Sequence, residues 1–271
     1  MSAPPLQVFA ESFPERGAFD TAVSRALLES VAAGRSGENL RLYRPGNVLA
    51  FSLLDRQRPG FARAVEVARR QGFEPVLRLT GGRAAVFHDE TLAFAWCRPI
   101  ADARLGIHDR FDAVGDILCR ALRSLGVDAR LGEVPGEYCP GEHSVNVGGR
   151  IKVAGVGQRV VKGAAHVGGV VVVRDSARVR RVLEPVYDAL DYPMDPDRAG
   201  SLEDASPSLT RERVADAIAR VFAAQYTLQS ASLDDTILEH ARAVQGRQEV
   251  GTEDSAADGP APLHAKALAS P

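Results

Sequence analysis

The central segment 128–173 constrains the fold more than any other part of this sequence. It is rich in glycine and in short extended patterns, and it ends in Val170–Val173, an uninterrupted run of valines. A continuous β-branched run of this kind is typical of a strand that is buried on both faces. The segment therefore predicts a strand-rich centre whose last strand is fully buried.

Helical and extended patterns are mixed around this centre without a strict alternation of strand and helix. An apolar stripe at helical spacing covers 18–33, and a second amphipathic pattern runs from Phe111 to Leu125 and ends at Gly126. The other predicted helices cover 59–71, 176–190, 210–227 and 233–245, and the predicted strands before residue 128 cover 40–44, 48–53, 76–79, 84–87 and 92–96. The mixture predicts an α+β fold in which one or more mixed sheets are surrounded by helices.

Length and composition are those of one soluble domain. A chain of 271 residues can bury one sizeable core, and 45% hydrophobic with 25% charged residues is ordinary for a globular protein. The formal charge of −2 argues against a protein that mainly coats nucleic acid or an anionic membrane. The three cysteines are far apart and lack paired metal-ligand spacing, so we expect neither a disulfide framework nor a metal site.

The two ends of the sequence give further expectations. The N-terminus has no basic stretch followed by an apolar one, and no run of 18 apolar residues occurs, so we expect a cytoplasmic protein that contacts no membrane. From Glu249 onward the chain is rich in Gly, Asp, Ser, Ala and Pro and has little apolar content. We expect 1–248 to form the domain and 249–271 to be a disordered tail.

The sequence Tyr-Cys-Pro-Gly at Tyr138–Gly141 carries the strongest chemical signal. Cys139 stands on a Pro-Gly turn, which exposes it on a stiff backbone, and Lys152 follows thirteen positions later, after a Gly-Gly hairpin signal. A thiol beside a fixed cation has a lowered pKa and can act as a nucleophile. The alternative, from these residues alone, is a half-buried loop cysteine and an ordinary surface lysine.

A second segment, Arg78–Asp89, places a glycine pair between two predicted strands. The backbone amides of Gly81 and Gly82 can approach a carboxylate, a phosphate or a thioester because no Cβ is in the way. The flanking arginines add positive charge, and the His-Asp pair at its end can orient a side chain or carry a proton. The alternative is a glycine hairpin with surface charges. The segment contains neither a Walker loop nor a Rossmann fingerprint.

Three ordered motifs resemble those of the biotin/lipoate protein ligase and lipoyl/octanoyl transferase superfamily. They are Leu42–Pro45, Thr80–Asp89 and Asn146–Arg159. The resemblance runs from about residue 18 to 190. It implies a single α+β catalytic domain in which a central mixed sheet and a smaller sheet enclose a tunnel for an acyl chain. It also implies an activity, the attachment of lipoate, octanoate or biotin to one lysine of a carrier domain.

Within the superfamily, the Tyr138–Gly141 turn is similar to that of the cysteine-dependent octanoyl amidotransferases, which pass an acyl group between lipoyl domains through a thioester on that cysteine. This resemblance implies Cys139 as the nucleophile, Lys152 as the cation that holds negative charge, and no required cofactor. The implied partners are the glycine-cleavage H protein and the lipoyl domains of 2-oxoacid dehydrogenase subunits, with an octanoyl or lipoyl group as cargo. The implied substrate-binding residues are Arg78, Thr80, Gly81, Gly82, His88, Asp89, Gly155 and His166.

The ATP-dependent lipoate ligases are the alternative branch. Their Gly-Gly-Gly-Ala-Val-x-His-Asp loop is only partly kept here, because Arg83 replaces the third glycine and one extra residue precedes His88. A ligase would use ATP and magnesium, Lys152 would hold an acyl-adenylate, and Cys139 would be idle. A non-catalytic acyl- or carrier-binding homologue is a third possibility, against which the retention of both Cys139 and Lys152 argues. The sequence leaves open the acyl group, the carriers and the oligomeric state.

Overall fold

The computed structural model describes residues 3–251, and these form eleven strands and seven α-helices. The strands are β1 (Pro5–Phe9), β2 (Asn39–Tyr43), β3 (Val48–Phe51), β4 (Glu74–Leu77), β5 (Ala85–Phe87), β6 (Thr91–Pro99), β7 (Ala129–Leu131), β8 (Val145–Val147), β9 (Ile151–Val161), β10 (Ala164–Val172) and β11 (Thr227–Ser230). The helices are α1 (Gly17–Ala32), α2 (Leu53–Arg56), α3 (Phe61–Arg70), α4 (Ile107–Ser124), α5 (Ser176–Ala189), α6 (Arg211–Ala223) and α7 (Asp235–Val244).

The strands form one large and one small sheet. The large sheet has the order β11-β1-β2-β6-β10-β9-β8-β7, and the small sheet has the order β4-β3-β5. The β1–β11, β1–β2 and β3–β4 pairs are parallel, and the other pairs are antiparallel. The predicted α+β fold, with a central mixed sheet, a smaller sheet and surrounding helices, is confirmed.

Helices cover both faces of the large sheet. On one face α4 and α6 pack together, and the ring of Phe222 meets Trp96 of β6 edge to face at 5.3 Å. On the other face α1 and α7 pack around Cys97, which is fully buried. The small sheet packs with α3 and α5 into a separate apolar cluster. Burial of each large apolar side chain in these layers contributes about 1.5–3 kcal/mol of transfer free energy.

The structure differs from the sequence patterns mainly at the sheet edge. The patterns predict neither β1 nor β11, which pair in parallel with Leu6 opposite Leu228. The predicted helix 210–227 accordingly ends at Ala223, before β11 begins. The predicted strand 48–53 ends at Phe51, because the Ser52 side chain accepts the Asp55 amide and caps α2.

The described chain ends inside the predicted tail. Gln248 is buried and accepts a hydrogen bond from Nε of Arg25 at 2.9 Å, and Glu249 forms an isolated bridge with Val76. Val250 is buried against the cluster formed by α3, α5 and the small sheet. The remainder of the predicted tail, 252–271, lies outside the described residues. Within 3–251, no helix combines the length and the apolar character needed to cross a membrane.

Candidate active site

Cys139 lies in the connection between β7 and β8, in a backbone conformation that non-glycine residues rarely adopt. Its φ is +42°, in the left-handed region, which costs about 1–3 kcal/mol for a residue with a Cβ. The buried Tyr187 of α5 holds this conformation, because its hydroxyl accepts the Cys139 N–H at 2.8 Å and donates to the Ala84 carbonyl at 3.0 Å. The phenol therefore connects the cysteine turn, Glu137–Gly141, to the residue that precedes β5.

The Cys139 sulfur is surrounded by groups that favour the thiolate. Sγ accepts the backbone N–H of Arg83 at 3.1 Å and lies 3.6 Å from Nη2 of Arg78. Burial alone would raise the pKa of this thiol, but the charges of Arg78 and Lys152 and the Arg83 amide outweigh burial and lower it. At Cys97 burial acts alone and raises the pKa. The surroundings of Cys139 therefore lower the pKa of its thiol, and the cation in contact with sulfur is Arg78.

Gly82 permits this close approach. A Cβ at this position would lie 2.8 Å from Sγ of Cys139 and 2.4 Å from Nη2 of Arg78, both shorter than real contacts. The φ of +96° at Gly82 also disfavours any residue with a side chain. Gly82, the second glycine of the sequence motif, is thus needed here to bring the arginine and the thiol together.

Lys152 is 1% exposed and uses all three of its ammonium protons within the protein. Nζ donates to Oε1 of Glu137 at 3.1 Å, to the Tyr138 carbonyl at 2.9 Å and to the Cys139 carbonyl at 2.6 Å. Its contacts are therefore with the backbone of the cysteine turn and with a buried carboxylate. Lys152 fixes the turn directly and acts on the sulfur through the field of its charge.

A β-bulge brings Lys152 to the cavity side of the large sheet. Lys152 pairs with Asn146 and Ala154 pairs with Val145, so that Val153 is an extra residue in β9. In an undisturbed strand, residues three apart point to opposite faces. Lys152 and Gly155 nevertheless line the same cavity, as expected when a bulge redirects a side chain.

A cavity of about 460 Å³ joins these residues to the interior, within the range that suits small ligands. Its walls include apolar side chains from both sheets, such as Val48, Ala85, Phe87 and Val170. Eight of the ten site residues proposed from the sequence line it. They are Arg78, Thr80, Gly81, Gly82, Cys139, Lys152, Gly155 and His166.

His88 and Asp89 do not line this cavity. His88 is fully buried, and burial followed by the charge of Arg178 lowers the pKa of its imidazole to about 4. Asp89 accepts a hydrogen bond from Nη1 of Arg178 at 2.7 Å and lies 3.7 Å from Nη2 of Arg44. Asp89 connects the β5–β6 turn to α5, and His88 makes its hydrogen bonds within the turn.

Three groups in or beside the cysteine turn were not identified from the sequence. Glu137 stands two residues before Cys139, and its carboxylate holds Lys152, Ser144 and the Val134 amide. Glu137 could have been identified from the sequence, because it directly precedes the Tyr-Cys-Pro-Gly turn. The Arg83 amide and the Tyr187 hydroxyl carry no such signal, because their roles depend on where the fold places them.

Comparison with known proteins identifies the family. The model of the lipoyl protein ligase A/B catalytic domain matches residues 16–223, well over half of the chain. An octanoyl-[GcvH]:protein N-octanoyltransferase of Geobacillus kaustophilus is 30% identical over 146 residues, which are 54% of this chain and 51% of the relative. A protein of the same name from an Exiguobacterium species is 29% identical over 208 residues, 73% of this chain and 74% of the relative. The chain thus spans about half the length of the first relative.

Solved structures share the fold. A crystal structure of lipoate-protein ligase A bound with ATP has a TM-score of 0.74 at 20% identity and covers 91% of this chain and 95% of its own. A bipartite lipoate protein ligase from Thermoplasma acidophilum, studied with its E2 lipoyl domain, has a TM-score of 0.72 at 18% identity and covers 97% and 100%. The family match, the shared fold and the motif order agree. The chain belongs to the lipoyl protein ligase A/B catalytic domain family.

Proposed function

We propose that this protein is an acyltransferase that moves an octanoyl or lipoyl group between the lysines of two lipoyl carrier domains, through a thioester on Cys139. The observation that carries the proposal is the environment of Sγ, which accepts the Arg83 amide and lies beside Arg78 at the wall of the cavity. The names of the relatives support it, because they describe N-octanoyl transfer and, for a Listeria monocytogenes protein that is 25% identical over 153 residues, N-lipoyl transfer.

The proposed reaction has two halves. In the first, the Cys139 thiolate attacks the carbonyl carbon of the acyl-lysine amide, the S–C bond forms, and the C–N bond breaks as the departing amine gains a proton. In the second, the acceptor amine loses a proton and attacks the thioester, and the C–S bond breaks to return the thiolate. Each half avoids direct attack of one amine on an amide, for which the electrophile and the leaving group are both poor. Arg78 and the Arg83 amide stabilise the thiolate in both halves.

The strands β9 and β10 offer a path for the acyl chain. Both carry glycines on the cavity wall, and at Gly157 and Gly168 a neighbouring side chain leaves no room for a Cβ. A Cβ at Gly157 would lie 2.5 Å from Oγ1 of Thr80, and one at Gly168 would lie 2.5 Å from Cε1 of His166. Gly157 and Gly168 are paired directly across the two strands. In this proposal, Thr80, Gly155 and His166 contact the chain, and Gly81 and Gly82 lie beside its carbonyl end.

Ligation through an acyl-adenylate has less support from this site. Lys152 donates all three protons to Glu137 and to two backbone carbonyls, so that none is left for the carboxylate or the phosphate of a substrate. The His-Asp pair that resembles the ligase loop lies away from the cavity. ATP and magnesium are therefore not part of the proposal. The proposed partners are lipoyl carrier domains, with GcvH as the donor class that the relatives' names suggest.

Intact-mass analysis tests the proposal. After incubation with an octanoylated H protein, we expect the wild-type protein to carry one octanoyl group that hydroxylamine removes, and to pass it to a second lipoyl domain. Cys139→Ala should lose both the adduct and the transfer, whereas Cys119→Ala, which changes a buried thiol of α4, should keep them. Transfer by Cys139→Ala at the wild-type rate would contradict the thioester route. Carrier modification from free octanoate, ATP and magnesium would support the ligase instead.

A further inference from the structure

The proposed reaction requires proton transfers that neither Lys152 nor Arg78 can carry out. The amine that leaves the donor carrier must gain a proton, and the acceptor lysine, whose ordinary pKa is about 10.4, arrives as an ammonium and must lose one. Lys152 is saturated, because its three protons are shared with Glu137 and two carbonyls. The Arg78 guanidinium has only hydrogen-bond donors and no acceptor that could take a proton. A separate group near the cavity opening has to exchange these protons.

His143 has the geometry for that task. It lines the same cavity, four residues after Cys139, and its side chain is 13% exposed. Its Nε2 lies 3.0 Å from Oδ1 of Asp112, and its ring stacks on Phe111 of α4 at a centroid distance of 4.9 Å and an angle of 21°. The carboxylate and the stacked ring orient the imidazole, and among the described residues no hydrogen bond engages its Nδ1. Nδ1 lies 3.7 Å from Oε1 of the exposed Glu142.

Three other titratable groups on the cavity wall do not suit this role. Burial lowers the pKa of His166 to about 4 and raises the pKa of Tyr43 to about 12. Asp20 is buried and paired with Arg41. An imidazole with one nitrogen on a carboxylate is the arrangement in which a side chain gives and takes protons near neutral pH.

We propose that His143, oriented by Asp112, is the acid–base group of the acyl transfer. This inference rests on the proposed thioester route. In the first half, the imidazolium gives its proton to the amine nitrogen as the C–N bond breaks, and becomes neutral. In the second half, the neutral imidazole takes one proton from the acceptor ammonium, and the freed amine attacks the thioester. The second amine proton passes to water as the amide forms and the Cys139 thiolate leaves.

Single-turnover discharge of the acyl-enzyme tests this role. The enzyme is loaded from a small octanoyl thioester, whose thiolate leaves without needing a proton, and is then discharged either to a lipoyl carrier domain or to hydroxylamine, which is uncharged at neutral pH. We expect His143→Gln to discharge to the carrier about 100- to 10,000-fold more slowly than wild type, the usual contribution of acid–base catalysis. Discharge to hydroxylamine should be unchanged, because this nucleophile needs no base.

The pH profile and two further variants sharpen the test. Raising the pH should recover part of the carrier discharge of His143→Gln, because more of the acceptor lysine is neutral. The charged and titratable groups that face His143 are Asp112 and His108 of α4 and the adjacent Glu142. Asp112→Asn should shift the pH profile of carrier discharge and lower its rate less than His143→Gln does. His108→Gln, which changes an exposed imidazole 6.5 Å away, should behave as wild type.

Two results would overturn the assignment. One is carrier discharge by His143→Gln at the wild-type rate and pH profile. The other is an equal loss toward carrier and hydroxylamine, which would give His143 a structural role only. A wild-type protein that forms no hydroxylamine-sensitive adduct from an acylated carrier would instead refute the thioester route itself, so that the two failures are distinguishable.

Discussion

Two turns of this molecule bury ionisable groups and use them differently. In the cysteine turn, Glu137–Gly141, the sulfur of Cys139 is surrounded by the Arg78 guanidinium, the Arg83 amide and the charge of the Lys152 ammonium. In the histidine turn, His88–Thr91, the polar side chains form hydrogen bonds with other residues of the protein. Asp89 accepts from Arg178, and the His88 ring accepts the Glu90 amide at 3.2 Å through Nδ1. Only the first turn leaves a nucleophile facing a cavity.

The difference shows what marks a reactive site in this fold. The pKa of a buried group is shifted in both turns, downward for the Cys139 thiol and downward to about 4 for the His88 imidazole. At Cys139 the shift favours the charged, nucleophilic form, whereas at His88 burial favours the neutral form. A shifted pKa therefore marks a reactive group only where it favours the reactive protonation state and a cavity gives a substrate access.

Among the variants that compare the two turns, the largest effect is expected at Lys152, whose ammonium holds the cysteine turn. Lys152→Met removes the charge and three hydrogen bonds that fix the turn, so we expect transfer to fall by about 100- to 1,000-fold or more, the cost of losing one positioned donor. Lys152→Arg should recover little, because a planar guanidinium cannot reproduce three bonds from one nitrogen. The measurement is the initial rate of octanoyl transfer between carriers.

Loss of stability has to be separated from loss of activity in this variant. Lys152→Met leaves the Glu137 carboxylate buried without its cation, which typically costs about 3–5 kcal/mol. The double variant Lys152→Met with Glu137→Gln should recover thermal stability without recovering transfer. Lys162→Met, at the exposed end of the β9–β10 hairpin, is the matched control and should be fully active. Near-normal transfer by Lys152→Met would remove Lys152 from the active site.

A smaller effect is expected at Tyr187. Tyr187→Phe keeps the ring but loses the bond that accepts the Cys139 amide and the one that donates to Ala84. A net loss of about 1–1.5 kcal/mol corresponds to roughly a tenfold slower transfer. The same variant should alkylate more slowly with iodoacetamide at Cys139, because the left-handed turn is less well held. Tyr226→Phe, which loses a bond to Glu38 instead, should change neither rate.

Most of the fold and part of the site can be predicted from the sequence. Local periodicity predicts most helices and strands, because helix and strand place apolar residues at spacings of about 3.6 and 2. Local periodicity does not predict the β1–β11 pair, since these strands come from opposite ends of the described chain and pair through backbone atoms. At the site, the Tyr-Cys-Pro-Gly turn and Lys152 stand out as motifs. The acceptors of Lys152, the bulge at Val153 and the contact of Tyr187 depend on tertiary placement and have no local pattern.

The smallest effect on activity is expected in the histidine turn, where the variant should instead change the pH dependence of stability. The pKa of His88 is about 4 in the folded protein, because of burial and the nearby Arg178, against about 6.5 for an unperturbed histidine. Between these values the unfolded chain binds a proton that the folded protein does not, so stability falls as the pH falls. The slope from one such imidazole is at most about 1.4 kcal/mol per pH unit.

His88→Asn should reduce this slope while leaving octanoyl transfer at pH 7.5 within about twofold of wild type, since the side chain does not line the cavity. Asparagine keeps an acceptor for the Glu90 amide, which limits the structural cost. Urea unfolding of both proteins at several pH values between 4.5 and 7.5, about the range in which histidine titrates, measures the difference. His166, with a pKa also lowered to about 4 by burial, keeps part of the slope in the variant. An unchanged slope would contradict the lowered pKa of His88. A loss of transfer with stability intact would instead give His88 a role in the active site.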